Sequence, residues 1–436
     1  METVLTRQLP MPQGLNRKNN PVVASRMFAI VTYVRAMRIT QRYQIFSRAP
    51  FGSLACMRCA GSRESPKSMT KTPALFTPFT LRGVTFPNRI TLAPMCQYQA
   101  IDGVPNNWHR AHHGRYATSG LGCAIVESTG ITAEGRISAG CTGIYNDEQV
   151  EAWKPITALY RDQGVPVIMQ INHAGAKSST MRPWDGGGPL EEDSTEPPWE
   201  TVAPSAIPAR EGWHTPRALD VSEMAGIASD FATAAKRALA AGFDGVEIHG
   251  AHGYLLHSFM SPWSNRRNDA YGGTLEGRMR LPIEVARAVR AAVPDHVPVL
   301  YRASCVDGEG GSLTLDDTVA LAAELKKAGV DLIDASGGGI PAGMRLAKMK
   351  TGPGFQVPYA DRIRHEIDMP TMAVGMITEP ELANRIIEDG KADMVALARQ
   401  FLRDPAWPYH AAQELGHPEP ASILPKLYAF YLRISA

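Results

Sequence analysis

Eight times between Thr91 and Ala398 the chain repeats one unit, a short apolar run ending in small or polar residues followed by an amphipathic stretch. The runs are Thr91–Met95, Cys123–Ser128, Pro166–Asn172, Gly245–His249, Pro298–Ala303, Asp331–Ser336, Thr371–Gly375 and Met394–Ala398, with starts about 43 residues apart. Near-continuous apolar strands alternating with helices make a parallel sheet covered on its faces. Eight such units predict a (β/α)₈ barrel, an α/β fold of one domain. An open doubly wound sheet is the rival, but it wants a glycine fingerprint after its first strand, and Pro94-Met95-Cys96-Gln97-Tyr98 is not one. The helices read clearly at two places. Ser222–Ala241 is expected to start on Ser222 as N-cap and stop at Gly242, and Leu315–Ala328 forms another.

The 436 residues suit one large barrel with additions, and 44% apolar with 20% charged residues excludes disordered, collagen-like and coiled-coil chains. Charge is unevenly spread. Met1–Thr70 carries eleven Lys/Arg against Glu2 and Glu64, so the rest of the chain is mildly acidic although the total is +2. An acidic body argues against a nucleic-acid partner. The basic stretch holds no apolar run near membrane-spanning length; its longest, Met27–Val34, is short. It is expected to be a start placed too early, with Met69 the true one, or an Arg-rich transit segment, or a basic arm. Residues 71–436 then form the barrel, cytoplasmic unless the extension is a transit segment. The six cysteines form no spaced framework, which fits reduced thiols, and Cys56-Met57-Arg58-Cys59 lacks the second pair a zinc site needs. The insertion 174–221, rich in Pro, Gly, Trp and acids, is too long for a plain connection and reads as a lid.

Barrel chemistry gathers at the C-terminal strand ends. Those ends here carry Cys96 and Tyr98, Ser128, then Gln170, Asn172 and His173, then His249, His252 and Tyr254, then Arg302, Ser336–Gly339, Gly375, and Ala398 with Arg399. Two imidazoles three residues apart can donate two hydrogen bonds to one oxygen, or ligate a metal with Glu247, which faces the same side by period two, or be satisfied structural groups. The glycines of the last three strand ends with Arg399 fit a phosphate-bearing ligand. Cys96 alone can be a redox neighbour, a nucleophile or ligand, or a small buried apolar group.

Four segments together carry a family resemblance: Asn88–Tyr98 (NRITLAPMCQY), Gln170–Gly175 (QINHAG), His249–Tyr254 (HGAHGY) and Ser261–Arg278 (SPWSNRRNDAYGGTLEGR). From about Leu75 to its end the chain resembles the Old Yellow Enzyme family, FMN-dependent ene-reductases on a TIM barrel. Cys96-Gln97-Tyr98, Arg182-Pro-Trp-Asp185 and Trp199–Ala206 are similar to its xenobiotic-reductase branch. The resemblance implies FMN as cofactor and NADPH or NADH as hydride donor. It implies that Ala93, Pro94, Met95 and Cys96 line the flavin, with Cys96 tuning it, and that the backbone of Ser128 meets the ring. Gln170 is implied at the pyrimidine end, Arg302 beside the N1/C2 carbonyl, and Gly375, Ala398 and Arg399 at the phosphate.

By the same resemblance His249 and His252 hold the substrate's activating oxygen, Tyr254 gives the proton, and Tyr98 is a substrate-facing ring. The reaction so implied reduces an activated alkene, hydride going to one carbon and the Tyr254 proton to the other. Oxidative demethylation of a small amine at the same flavin is the alternative; a metal-dependent hydrolase on His249, His252 and Glu247 is a more distant one. A homodimer or larger assembly is implied, with Tyr431 an aromatic wall and Arg433 a cross-subunit contact. Ala398 departs from the glycine many relatives place before the arginine, though its backbone N–H remains.

Overall fold

In the computed structural model residues 71–308, 312–342, 345–346 and 351–434 are described. Met1–Thr70, with the Cys56/Cys59 pair, lies outside the described residues. Eight parallel strands close a barrel in chain order: β1 (Ile90–Leu92), β2 (Cys123–Gly130), β3 (Val167–Asn172), β4 (Gly245–Gly250), β5 (Val299–Ser304), β6 (Leu332–Ser336), β7 (Thr371–Ala373) and β8 (Met394–Leu397). β8 pairs with β1, so no edge is left unpaired. The expected (β/α)₈ architecture is therefore the observed one, and the open sheet is not. Among the described residues no helix is long and apolar enough to cross a membrane.

Every residue of these strands is buried. The outer faces pack under helices: Val167, Met169 and Ile171 share one core with Trp153, Ile156 and Phe231. The inner faces form a separate cluster of Cys123, Ile125, Ile168, Leu300, Leu332, Met372, Met394 and Ala396. A hairpin, Phe79–Leu81 with Val84–Phe86, caps the N-terminal end of the barrel and adds Leu81 and Phe86 to that inner cluster. The apolar-run reading does not anticipate this hairpin, whose strands are three residues each.

The helices follow the chain as α1 (Asn107–Ala117), α2 (Asp147–Arg161), α3 (Met224–Ala240), α4 (Leu255–Met260), α5 (Leu275–Ala292), α6 (Leu315–Lys327), α7 (Val357–Ile367), α8 (Pro380–Glu388), α9 (Arg399–Arg403), α10 (Trp407–Glu414) and α11 (Lys426–Ile434). Ser222 is not the cap expected of it. Asp220 and Glu223 form the capping box over a short 3₁₀ turn, Val221–Glu223, from which α3 continues. An aspartate two residues earlier is as good a cap as serine, so composition alone leaves the choice open.

Candidate active site

Along each strand the inward-facing side chains, two residues apart, change character half-way up. β3 goes from Ile168 to Gln170, β4 from Glu247 to His249, β5 from Leu300 to Arg302 to Ser304, and β6 from Leu332 to Asp334 to Ser336. The lower half is an apolar plug; the upper half is a ring of buried polar groups. Register brings them side by side, Gln170 opposite Glu247, His249 opposite Arg302, and Arg302 opposite Asp334. Gln170 Nε2 donates to Glu247 Oε1 at 2.7 Å, and Arg302 Nε lies 3.2 Å from Asp334 Oδ2 as an ion pair outside hydrogen-bond alignment.

The loop after β4 turns this ring into a pocket. His249 and His252 stand edge to face with ring centres 5.2 Å apart, and Tyr254 meets His249 at 4.9 Å. His249 Nδ1 accepts the Ala251 N–H at 3.2 Å, which leaves its Nε2 as the donor. His252 Nε2 is tied to Ser336 Oγ at 2.8 Å, so any donor it offers to a ligand is Nδ1. His252 has a left-handed backbone, φ 60°, at a cost of about 1–2 kcal/mol. It is held there by Ser304 Oγ on its N–H at 2.9 Å and by Lys177 Nζ on its carbonyl at 2.6 Å. Lys177 also donates to the Gly339 carbonyl at 2.6 Å. Gly339, at φ 111°, lies so close that a Cβ there would strike the His252 backbone. The glycine is thus explained by close approach.

Cys96 and Tyr98 join Tyr254 in a small apolar cluster with Ile137, Cys141 and Ala174. Ala93, just after β1, belongs to the inner cluster, and Pro94 and Met95 run on to Cys96. Gln97 N–H donates to the buried Glu127 at 3.0 Å, which fixes the turn that presents Cys96. Tyr98 is also left-handed, φ 53°; its carbonyl accepts Arg182 Nε at 3.1 Å and its ring meets Trp184 edge-on at 5.8 Å. Both partners come from the insertion 174–221, which is ordered into short turns and a two-stranded pair, Val202–Ala203 with Arg217–Ala218.

At the ends of β7 and β8 a cavity of about 250 Å³ is lined by Arg302, Ser336, Gly375, Met376, Ala398 and Arg399 among others. Gly375 has φ 118°, and a Cβ there would press on Phe355 and Gln356 at 3.1 and 3.2 Å. Tyr431 and Arg433 lie apart from this constellation, on α11; Arg433 pairs with Glu419 of its own chain at 2.9 Å.

Burial sets the charge state. It pushes His249 and His252 well below the ordinary imidazole range, with Arg302 assisting, so both are neutral at pH 7. Burial raises the Tyr254 phenol and the Cys96 thiol, the latter helped by Cys141 and Glu127, so neither ionises. Burial lowers Lys177 to about 7. His249, His252 and Glu247 do not converge as ligands. Among the described residues no three His, Cys, Asp or Glu side chains gather as a metal site.

Sequence reading missed Lys177, Cys141, Ser304 and Asp334. Period-two reading of DLIDAS and VLYRAS puts Asp334 and Ser304 inward, so those two were within reach. Lys177 and Cys141 come from loops with no such period.

Known proteins share this fold and much of this sequence. Residues 74–417 match the NADH:flavin oxidoreductase / NADH oxidase family. An NADPH dehydrogenase of Geobacillus sp. (strain WCH70) is 42% identical over 351 residues, covering 80% of this chain and 96% of its own length. The NADPH dehydrogenase of Bacillus subtilis (strain 168) is 37% identical, with 80% and 97% covered. Morphinone reductase superposes with a TM-score of 0.66 at 28% identity, over 80% of this chain and 91% of its own. An Old Yellow Enzyme homologue from Zymomonas mobilis gives 0.65 at 28%, over 78% and 93%. A match running through the whole barrel, with relatives covered almost end to end, shows that this chain belongs to the NADH:flavin oxidoreductase / NADH oxidase family, the Old Yellow Enzymes.

Proposed function

We propose that this FMN-dependent NAD(P)H oxidoreductase reduces activated alkenes, enones among them. The observation that carries the reading is the convergence of two neutral imidazoles and a protonated phenol, His249, His252 and Tyr254, on one side of the barrel mouth. The residues suit FMN on physical grounds. Ser128 Oγ and Asn172 Oδ1 are buried without a protein partner among the described residues, as expected beside a polar ligand. Glycine at position 375 leaves a cradle that a Cβ would fill. Gln170 and Arg302 then take the pyrimidine end, Ala93, Pro94, Met95, Cys96 and Ser128 line the ring, and Gly375, Ala398 and Arg399 take the phosphate.

FMN, when bound, would supply two-electron hydride chemistry between NAD(P)H and the alkene. The chain's own groups do the rest. His249 Nε2–H and His252 Nδ1–H bond the substrate's carbonyl or nitro oxygen and hold it more strongly as negative charge develops there. Neutral donors suit this role, since imidazolium could give its proton away. Tyr254 delivers a proton to the carbon next to the activating group; its raised pKa keeps it protonated at any working pH. Cys96, a neutral thiol, contacts the ring and tunes it. Tyr98 faces the substrate, and the 174–221 segment closes over the mouth through Arg182 and Trp184. The xenobiotic-reductase branch is supported by this Cys96–Tyr98 turn.

A cytoplasmic homodimer or larger assembly completes the reading. It is supported by the exposed apolar side chains of α11, Leu427, Phe430 and Ile434. Purified protein should be yellow. NADPH should bleach it anaerobically, and cyclohexenone should restore the colour. A colourless protein, or a bleached one that no enone reoxidises, refutes the proposal.

A further inference from the structure

Beside the residues assigned to the pyrimidine end, on the neighbouring strands, lies a feature the reaction above does not use. Glu247 and Asp334 are fully buried inside the barrel. Both project into the barrel interior from the strands flanking β5, Glu247 bonded by Gln170 and Asp334 opposite Arg302. Glu247 Oε2 and both oxygens of Asp334 find no hydrogen-bond donor among the described residues. One guanidinium, Arg302, faces them from β5. The remaining groups around them are Gln170 from β3, the neutral thiol Cys123 of the inner cluster, and the neutral His249 above. Two buried carboxylates against one cation would leave an uncompensated charge in a dry interior, at a cost of several kcal/mol. A proton between them removes that charge and gives an otherwise bare oxygen its donor.

Resting on the FMN assignment above, we propose that Glu247 and Asp334 hold a single proton between them, and that this proton sets the charge beside the pyrimidine end of the cofactor. With it, Arg302 and one carboxylate cancel, and Gln170 and Arg302 present a neutral platform. Without it, the platform carries one negative charge beside the position where reduction adds another. Reduction and this proton are therefore coupled. Two electrons and one proton arrive as hydride from NAD(P)H. A separate proton comes from solvent and forms one O–H bond on the carboxyl pair, with no other bond broken. Burial raises both carboxyls and the Asp334 charge raises Glu247 further, against Arg302, which lowers both, in keeping with a proton retained at neutral pH.

The test uses the holoenzyme. Infrared titration of the oxidised protein should show a protonated-carboxyl band at neutral pH that disappears on raising the pH. Above that transition, anaerobic reduction should take up as much as one more proton than at neutral pH, counted with an indicator dye. Over the same range the flavin potential should fall by a further 30 mV or about that per pH unit, the two-electron, one-proton slope. Glu247→Gln should lose the band and show the same uptake at both pH values. Absence of the band in the wild type overturns the proposal even where the variant fails to hold FMN. So does extra uptake that survives in Glu247→Gln. A colourless protein defeats the FMN assignment instead, and the infrared arm still reports on the shared proton.

Discussion

The two ends of the barrel handle charge in opposite ways. At the N-terminal end, Asp244, Asp331 and Asp393 each accept the N–H of a neighbouring strand's first residue, Val167 at 2.9 Å, Val299 at 2.8 Å and Thr371 at 3.0 Å. Arginines then neutralise two of them: Arg82 and Arg290 on Asp331 at 2.5 and 3.5 Å, Arg364 on Asp393 at 3.0 Å. Each carboxylate there closes a strand register, and two of the three are themselves closed by a cation. At the mouth the buried groups are left incomplete. Lys177 rests on two carbonyls and the Tyr254 ring with no carboxylate partner among the described residues, the imidazoles are stripped of charge, and orphan oxygens remain on Ser128 and Asn172. The difference teaches which end carries stability and which awaits a ligand.

Substitutions at each end should separate accordingly. The largest effect belongs to Tyr254→Phe. Stopped-flow reoxidation of the reduced enzyme by an enone should slow by about 10²–10⁴-fold, while reduction by NADPH keeps its rate. Loss of the NADPH step instead would break the mouth's division of labour. His249→Ala should cost about 10²–10³-fold in enone turnover and weaken phenol binding, followed by titrating the flavin's long-wavelength absorbance. At the other end, Asp331→Ala should destabilise by about 1–3 kcal/mol in urea unfolding, because the Val299 N–H loses its acceptor and two arginines lose their partner. Its phenol affinity should not change; if it does, the two ends are coupled.

Per pH unit the smallest effect, at most about 1.4 kcal/mol, is a stability slope. Lys177 is lowered to about 7 by burial against an ordinary 10.5, so the unfolded chain binds more protons between those values. Stability should therefore rise with pH across that window in the wild type and flatten in Lys177→Met, measured as the midpoint of urea unfolding.

Particular residues show what was readable beforehand. The strands stood out because a barrel buries both faces of each, which forces apolar runs such as PVIMQIN and PVLYRA. Their ends shifted by one to three residues, as at β1 and β7, since hydrogen bonding rather than hydrophobicity terminates a strand. His249, His252 and Tyr254 were legible because one strand end and the short loop after it carry all three. Lys177 and Cys141 were not, since nothing local marks them. They reach the pocket only because closure brings the loops after β2 and β3 beside the one after β4. The Met1–Thr70 readings are untouched by the described residues.

By itself, then, the sequence determined the barrel, the end at which chemistry sits and the side chains gathered there, because burial periodicity and strand-end composition are local properties of a chain. Tertiary structure decided the rest. It tied His252 Nε2 to Ser336, so only the opposite nitrogen can face a ligand. It stripped the imidazoles of charge, and it set Glu247 and Asp334 on the strands either side of a single arginine. Protonation and donor direction depend on the dielectric and the partners around each group, and only ring closure puts residues distant in sequence within 3 Å or so of one another.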